Sequence, residues 1–230
     1  MSAQLQIVPS AGNAPAAGME TVPRSPRWSS PFQTGIKRAA DVLFGSILLV
    51  LCMPLMVLIA LAIKLDSAGS VLYPWRVVGQ DGRPFLSWKF RSMCADADRR
   101  KARLLAENEM RGPVFKIEND PRITRVGRFL RRYSLDELPQ LASVVVGDMS
   151  LVGPRPPLAV EYAKFSPAQR RKLAVKPGIT CLWQVSGRNQ IRDFDEWVRL
   201  DLEYLRAWSL WLDCKILWRT VYAVFGGTGR

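Results

Sequence analysis

The chain has 230 residues, with 33 Lys and Arg against 20 Asp and Glu, a formal charge of +13 and no histidine. The length suits one domain with a short extra segment, and the lack of histidine excludes catalysis by a histidine base and histidine-containing metal sites. The charge predicts a polyanionic partner: a nucleic acid, a phosphorylated metabolite or an anionic membrane surface. Four widely separated cysteines without a C-x-x-C motif argue against a zinc ribbon and favour a reducing compartment.

Residues 1–34 are rich in Ala, Pro, Ser and Gly and show no sustained apolar period. This composition predicts a flexible tail. A signal peptide is not expected, because the apolar stretch starts too late in the chain and no small-residue cleavage site follows it.

An apolar segment follows, with 22 uncharged residues at 42–63. A continuous helix of that length would be ~33 Å long, enough to cross a bilayer core. Pro54 lies near its middle, where it removes one backbone hydrogen bond and predicts a kink or break. Because both flanks are basic, both ends are expected in the cytoplasm. We therefore predict a re-entrant membrane helix at 35–64, broken at Pro54; a straight transmembrane helix and a buried core helix are the alternatives.

Residues 65–230 are expected to form a domain of α+β class, mostly helical. The predicted elements are a hairpin from 71–73 and 84–90, a basic helix at 96–110, an irregular segment at 122–130, a helix at 136–146, a rigid loop at 154–157, and helices at 167–175 and 194–225. Four of the eight tryptophans fall in the last stretch, with Leu200, Tyr204, Trp208 and Trp211 at helical spacing. This face either packs on the core or lies as an amphipathic helix in the lipid headgroup zone.

Two adjacent carboxylates, Asp136 and Glu137, come directly after a run of arginines. Ser134 and Glu137 match a capping box, which is a purely structural explanation. Pro139 favours Asp136 as the N-cap instead, because proline would then occupy a position whose N–H is not needed by the helix. A helix N-terminus among arginines binds phosphate. A carboxylate there requires either a bridging divalent cation or its own attack on phosphorus.

Other basic residues are placed to grip an anion. Arg155 lies between two prolines, so its guanidinium loses little entropy on binding. Lys89 and Arg91 flank Phe90, and in a strand their side chains would share one face. Each of them alone is equally compatible with a solvated surface charge.

These residues belong to longer motifs, which are KFRSM at 89–93, NDPRIT at 119–124, SLDELPQ at 134–140, GDMSLVGPRP at 147–156, KPGIT at 176–180 and LWQVSGR at 182–188. In this order they closely resemble the bacterial polyprenyl-phosphate sugar-1-phosphate transferases, the monotopic phosphoglycosyl transferases that start exopolysaccharide and O-antigen assembly. The resemblance covers about residues 35–230. The chain resembles the compact form of the family, so we expect no multi-span N-terminal domain like that of longer members.

The resemblance implies that Asp136 attacks the sugar-bearing phosphorus of a UDP-sugar, releasing UMP, and that undecaprenyl phosphate then takes the phosphosugar. It implies Mg²⁺ held by Asp136 and Glu137, with Glu137 organising the ion or deprotonating the acceptor. Substrate-binding residues would be Lys89, Arg91, Arg122, Arg155, Arg188 and Asp201. The expected location is the cytoplasmic face of the bacterial inner membrane, with membrane lipids as partners, a homodimer left open and no nucleic acid.

Several positions depart from the family pattern. Met53 stands where a serine usually precedes the helix-breaking proline, so the hydrogen bonding at the break differs. Cys181 replaces a usual glycine and Ser143 a usual asparagine. Two other functions stay open: a membrane-anchored nucleic-acid-binding protein, suggested by the charge, and an inactive scaffold for polysaccharide assembly. The sequence does not decide which sugar is transferred.

Overall fold

The computed structural model describes residues 30–187, 190–227 and 229. This part of the chain is mostly helical with two small sheets, in agreement with the predicted α+β class. The helices are α1 (Pro31–Asp66), α2 (Ala97–Lys101), α3 (Arg125–Arg132), α4 (Leu141–Val146), α5 (Ala159–Tyr162), α6 (Pro167–Arg170), α7 (Phe194–Ala207) and α8 (Leu210–Phe225). The strands are β1 (Leu72–Val78), β2 (Pro84–Phe90), β3 (Ser150–Val152) and β4 (Gly178–Thr180). Short 3-10 turns lie at Gln80–Gly82, Ala102–Glu107, Leu135–Gln140, Arg171–Ala174 and Trp183–Val185.

Helix α1 is the one helix of the described residues that is long and apolar enough to cross a membrane. It begins at Pro31, inside the segment expected as tail, because Ser30 and Gln33 form a capping box and proline suits the first helical position. Residues 1–29 lie outside the described part. The helical assignment continues through Pro54 to Asp66, so two separate half-helices are not observed. Pro54 removes a single hydrogen bond and lies on the exposed side of the helix. A re-entrant course in a membrane stays a prediction.

The start of α1 is anchored to the domain by charged side chains. Arg38 donates to the carbonyl oxygens of Val144 and Val145 at 2.6 and 2.7 Å, near the C-terminus of α4. Buried Asp41 accepts a hydrogen bond from the backbone N–H of Leu151 at 3.0 Å. Gly45 faces α4 so closely that an added Cβ would lie 3.2 Å from Val144. These contacts fix the first part of the helix against α4 and β3.

The end of α1 is anchored to the same domain. Ile59 and Ile63 are buried in a cluster with Leu130 of α3. The carboxylate of Asp66 accepts a hydrogen bond from the backbone N–H of Val126 at 3.2 Å, at the start of α3. One face of α1 is therefore held along most of its length, while the opposite face exposes a row of apolar side chains, among them Leu43, Ile47, Val50, Leu51, Leu58 and Leu61.

The predicted hairpin is confirmed, with its first strand longer than expected. Strands β1 and β2 pair antiparallel, with Tyr73 opposite Lys89 and Trp75 opposite Ser87. The sequence did not predict the second sheet, in which β3 and β4 run parallel. Each of these strands has three residues, too few to show a period, and their approach requires glycine: a Cβ on Gly178 would lie 2.1 Å from the backbone nitrogen of Gly153.

Several helix predictions are corrected. The segment expected to be irregular contains α3, because the Thr124 hydroxyl caps it by accepting from Gly127 N at 3.0 Å. The long C-terminal stretch is two helices, since Ser209 starts α8 by accepting from Leu212 N at 3.1 Å. The helices expected at 96–110, 136–146 and 167–175 each combine a short α-helix with a 3-10 turn. The proline-rich loop at 154–157 is confirmed as irregular.

Candidate active site

A cavity of about 420 Å³ opens between the hairpin, the region around α2 and α3, the 154–157 loop and α7. Its lining is strongly basic, with eight Lys and Arg against three acidic residues. The basic residues are Lys89, Arg91, Lys101, Lys116, Arg122, Arg131, Arg155 and Lys172, and the acidic ones are Asp98, Asp136 and Glu161. Aromatic side chains complete the wall, including Trp75, Phe115, Phe165, Trp183, Phe194 and Trp197. Such a lining suits a ligand that carries both negative charge and a ring.

The two adjacent carboxylates have different environments. The 3-10 turn that carries them follows Ser134, which takes a left-handed backbone conformation at φ 55° that non-glycine residues seldom adopt. Ser134 occupies the N-cap position, but its side chain does not cap the turn, so the capping box is incorrect. Asp136 lies inside the turn, so its expected N-cap role is also incorrect. Asp136 lines the cavity, whereas Glu137 is buried at 7% exposure. The turn thus presents one carboxylate to a ligand and buries the other.

Glu137 is clamped by two cations. Its Oε1 accepts from Lys89 Nζ at 2.8 Å and from Arg155 Nη1 at 3.2 Å. Lys89 also lies 3.7 Å from the centre of the Trp75 ring, a cation–π contact. Burial lowers the pKa of Lys89, and the Glu137 charge opposes this. Burial is the largest influence on the pKa of Arg155 and lowers it, but the charge and hydrogen bond of Glu137, together with Cys181 and Glu161, raise the pKa overall. Both cations are therefore fixed at the cavity wall, beside Asp136.

Arg131 is a cavity residue that sequence reasoning placed only within a general arginine cluster. It lies in the last turn of α3 and lines the cavity with Asp136. Burial lowers the pKa of Arg131, and the negative charge of Asp136 is the largest opposing influence. The only signal in the sequence was its position five residues before Asp136, which has no meaning until α3 and the following turn are known.

Two other predicted ligands, Arg91 and Arg122, form hydrogen bonds within the protein itself. Arg91 donates to the carbonyls of Ala68 and Ser67, the latter at 2.7 Å, and so holds the α1–β1 connection. Arg122 binds Asp120 through two hydrogen bonds of 2.9 and 2.6 Å. Both arginines line the cavity, but their guanidinium groups are engaged with the protein.

One predicted ligand does not line the described cavity. Asp201 is completely buried and pairs with Lys172 at 2.6 Å, and it is Lys172 that reaches the cavity wall. Arg188 lies outside the described residues. The predicted site is thus brought together around Lys89, Asp136, Glu137 and Arg155.

A protein-built metal cage is not found among the described residues, where no three His, Cys, Asp or Glu side chains cluster. Mg²⁺ commonly uses only one or two carboxylates and completes its shell with substrate phosphates and water. Asp136 beside a basic cavity fits this mode of binding. Glu137 fits it less well, because its Oε1 already accepts from two cations.

Comparison with known proteins identifies the family of the chain. The family model described as bacterial sugar transferase matches residues 32–227, nearly all of the chain. The chain belongs to the bacterial sugar transferase family. The match includes α1 as well as every residue of the Asp136 site.

Three relatives illustrate the family. The chain is 48% identical over 193 residues to the galactosyl transferase CpsE of Streptococcus agalactiae, covering 84% of this chain and 43% of CpsE. It is 39% identical over 218 residues to the UDP-glucose:undecaprenyl-phosphate glucose-1-phosphate transferase of Escherichia coli, covering 90% of this chain and 44% of that protein. It is 41% identical over 192 residues to the exopolysaccharide production protein ExoY of Rhizobium meliloti, covering 82% and 84%. The chain thus spans less than half of the first two relatives and most of the third.

Proposed function

We propose that this sugar transferase moves a sugar-1-phosphate from a UDP-sugar to undecaprenyl phosphate, the first membrane step of exopolysaccharide or O-antigen assembly. The observation that carries the proposal is the position of Asp136, a carboxylate at the wall of a basic cavity beside Lys89, Arg131 and Arg155. The names of the relatives, which specify undecaprenyl phosphate and UDP-glucose, supply the substrate classes.

The proposed reaction has two displacements at the same phosphorus. First, a carboxylate oxygen of Asp136 attacks the sugar-bearing phosphorus of the donor, and the bond to the UMP oxygen breaks, with UMP leaving as an anion. Second, a phosphate oxygen of undecaprenyl phosphate attacks the aspartyl-linked phosphorus, releasing Asp136 and forming the polyprenyl-diphosphate-sugar. The acyl-phosphate intermediate divides one transfer into two steps.

The cations around Asp136 act on the charge that develops during transfer. Lys89 and Arg155 are held in place by Glu137, so they need little rearrangement when a phosphoryl group arrives. Glu137 thus orients two positive charges, in addition to the proposed deprotonation of the acceptor. Mg²⁺, bound by Asp136 together with the phosphates of the donor, would neutralise charge on those phosphates.

Membrane attachment is proposed through α1 and α8 at the cytoplasmic face. Both ends of α1 contact the same domain, through Arg38 at the start and Asp66 at the end. A helix crossing straight through a bilayer would have its ends on opposite sides, so these contacts argue against a straight crossing and favour attachment from one side of the membrane. Helix α8 exposes an aromatic row that would lie at the headgroups, consisting of Trp211, Trp218, Tyr222 and Phe225.

The test is UMP release from a panel of UDP-sugars by detergent-extracted protein with Mg²⁺ and undecaprenyl phosphate. Asp136→Asn should abolish release, while Asp81→Asn, an exposed carboxylate in the hairpin turn, serves as a matched control that keeps it. Peptide mass analysis after rapid quenching should find a phosphosugar on Asp136. If folded wild-type protein releases no UMP from any sugar, or if Asp136→Asn remains active, the proposed reaction is wrong.

A further inference from the structure

Beside the cavity lies a buried set of polar residues that the proposed chemistry does not use, which we call the polar corner: Lys172, Asp201, Trp183 and Trp197. Lys172 Nζ lies 2.6 Å from Asp201 Oδ2, with side chains only 3% and 1% exposed. Trp197 precedes Asp201 by one turn of α7 and stacks on Trp183, with ring centres 4.2 Å apart and planes within 7°. Lys172 and both tryptophans line the cavity.

The polar corner has unmet hydrogen-bonding capacity. Six buried side-chain nitrogen or oxygen atoms in the described part of the chain lack a hydrogen-bond partner, and four of them are here. They are both carboxylate oxygens of Asp201 and the indole nitrogens of Trp183 and Trp197. Lys172 lies at ion-pair distance from Oδ2, so Oδ1 and the two indole N–H groups are the atoms without any partner. Buried polar groups in native proteins rarely stay unpaired, and the usual partners are ordered water or a ligand.

The chemistry of the polar corner selects among parts of a ligand. It places the Lys172 ammonium and two indole rings at the cavity wall, and the Asp201 carboxylate, which does not line the cavity, is paired with Lys172. A hydroxyl group can accept hydrogen bonds without carrying a charge, so the hydroxyls of a sugar ring suit these donors. The apolar C–H face of a pyranose also packs well on aromatic rings. The Asp201 charge offsets the attraction that Lys172 would have for a phosphate.

The position of the polar corner favours the sugar over the nucleoside. Lys172 lines the same cavity as Arg155 and Asp136, so the polar corner lies at the cavity that contains the attacking carboxylate. Arg155 also contacts Glu137 beside Asp136. In a UDP-sugar, the sugar is bonded directly to the attacked phosphorus, whereas the uridine is one phosphate further away. The group next to the reacting phosphate is therefore the sugar.

A separate part of the cavity is suited to the nucleoside. The centre of the Phe115 ring lies 5.3 Å from Lys101 Nζ and 5.1 Å from Arg122 Cζ, and all three residues line the cavity. An aromatic ring flanked by cations offers a stacking surface for a base and charge for its phosphate. The two parts together can hold the two ends of one donor.

We propose that the polar corner binds the hydroxyl groups of the donor's hexose and determines which sugar the enzyme accepts, with Asp201 positioning Lys172. This proposal rests on the proposed function, and it names the residues that select the sugar. The simpler explanation of the polar corner is structural: the Lys172–Asp201 ion pair only joins the 3-10 turn at Arg171–Ala174 to α7, and trapped water fills the remaining hydrogen bonds. A purely structural pair would not discriminate between sugar epimers.

The experiment compares Lys172→Met, Asp201→Asn and Trp183→Phe with wild type. KM and kcat for UMP release are measured with UDP-glucose and UDP-galactose, and UDP is measured as an inhibitor that lacks the sugar. We expect KM for the preferred sugar to rise by roughly 10- to 100-fold in the Lys172 variant, because a hydrogen bond to a charged group is lost. The preference between the two epimers should fall by about tenfold or more, while inhibition by UDP changes less than about twofold.

Controls separate this effect from loss of folding. Arg199→Met removes an exposed ion-paired cation from α7, the helix that carries Asp201, and should change neither KM, kcat nor inhibition by UDP. Lys172→Arg should restore part of the epimer preference. Trp183→Phe removes one N–H and keeps an aromatic ring, so it tests the proposal even if the Lys172 variant does not fold.

Three results decide the matter. If KM for both epimers changes equally and the preference is unaltered in every variant, the polar corner is structural and the proposal is wrong. If inhibition by UDP weakens in parallel with KM, the polar corner binds the nucleotide, and the proposal is also wrong. If wild type releases no UMP from any sugar, the proposed function fails first, and direct binding of UDP-sugars against UDP to the same variants then tests the polar corner by itself.

Discussion

The clamp on Glu137 predicts a measurable coupling between Lys89 and Glu137. The Nζ–Oε1 distance is 2.8 Å, and the two side chains are only 12% and 8% exposed. Removing one partner of a buried ion pair typically destabilises a protein by ~3–5 kcal/mol. Arg155 remains at 3.2 Å from Glu137 in a Lys89→Met variant, so we expect the lower end, about 3 kcal/mol. For a chain of this size that corresponds to a fall in Tm of roughly 6–12 °C.

A double-mutant cycle isolates the interaction. Glu137→Gln alone should cost about 3 kcal/mol, because it leaves Lys89 and Arg155 facing each other without an anion. The double variant should cost about 4 rather than 6 kcal/mol, which gives a coupling energy of about 2 kcal/mol. Unfolding free energies are measured by urea titration in one detergent, with far-ultraviolet circular dichroism as the signal.

A surface pair provides the matched control. Arg199 and Glu203 lie 3.3 Å apart on α7, with side chains 62% and 55% exposed. Their cycle should give a coupling energy of at most about 0.5 kcal/mol. A coupling energy for Lys89 and Glu137 that is no larger than this surface value would refute the inference that they form a buried clamp.

Three further predictions concern titration and the membrane. Burial lowers the pKa of Lys89, so kcat/KM for UMP release should fall at alkaline pH below the usual lysine pKa of 10.5, and Lys89→Arg should move that fall to higher pH. Burial raises the pKa of Asp201, so its charge destabilises the folded state above that pKa and has no such effect below the usual value of 3.8. The loss of stability in Lys172→Met should therefore shrink as pH falls, and urea titrations at several pH values would measure this. Lipids with brominated chains should quench Trp218, which is 63% exposed on α8, so Trp218→Phe should lose part of the quenching while Trp183→Phe keeps it.

The parts of the site that follow from local chemistry could be predicted from the sequence. Lys89 lies in a hairpin that the glycine-containing turn between its two strands indicates. Arg155 is fixed by its two neighbouring prolines, and Asp136 follows an arginine run. In each case the information lies within a few residues, and the structure places all three side chains at one cavity.

The parts that depend on distant contacts could not be predicted. The parallel pair β3 and β4 joins segments that are far apart in the chain and too short to show a pattern. Lys172 and Asp201 are 29 positions apart, and nothing near either residue indicates that they meet. Ser134 matched a capping box in the sequence, but its backbone is left-handed and its side chain does not cap the turn. At the sheet and the ion pair, contacts between distant segments decide the structure.

The arrangement of charge in the cavity suits a small phosphorylated ligand, although the chain as a whole is strongly basic. Its main cations are tied to carboxylates: Lys89 and Arg155 to Glu137, Arg122 to Asp120, and Lys172 to Asp201. Because these charges are already oriented, a phosphate that enters meets fixed donors and requires little loss of side-chain entropy. Binding to a nucleic acid, in contrast, relies on mobile cations spread over an exposed surface. A cavity with paired cations and a carboxylate at its wall fits the proposed transfer of a single phosphoryl group.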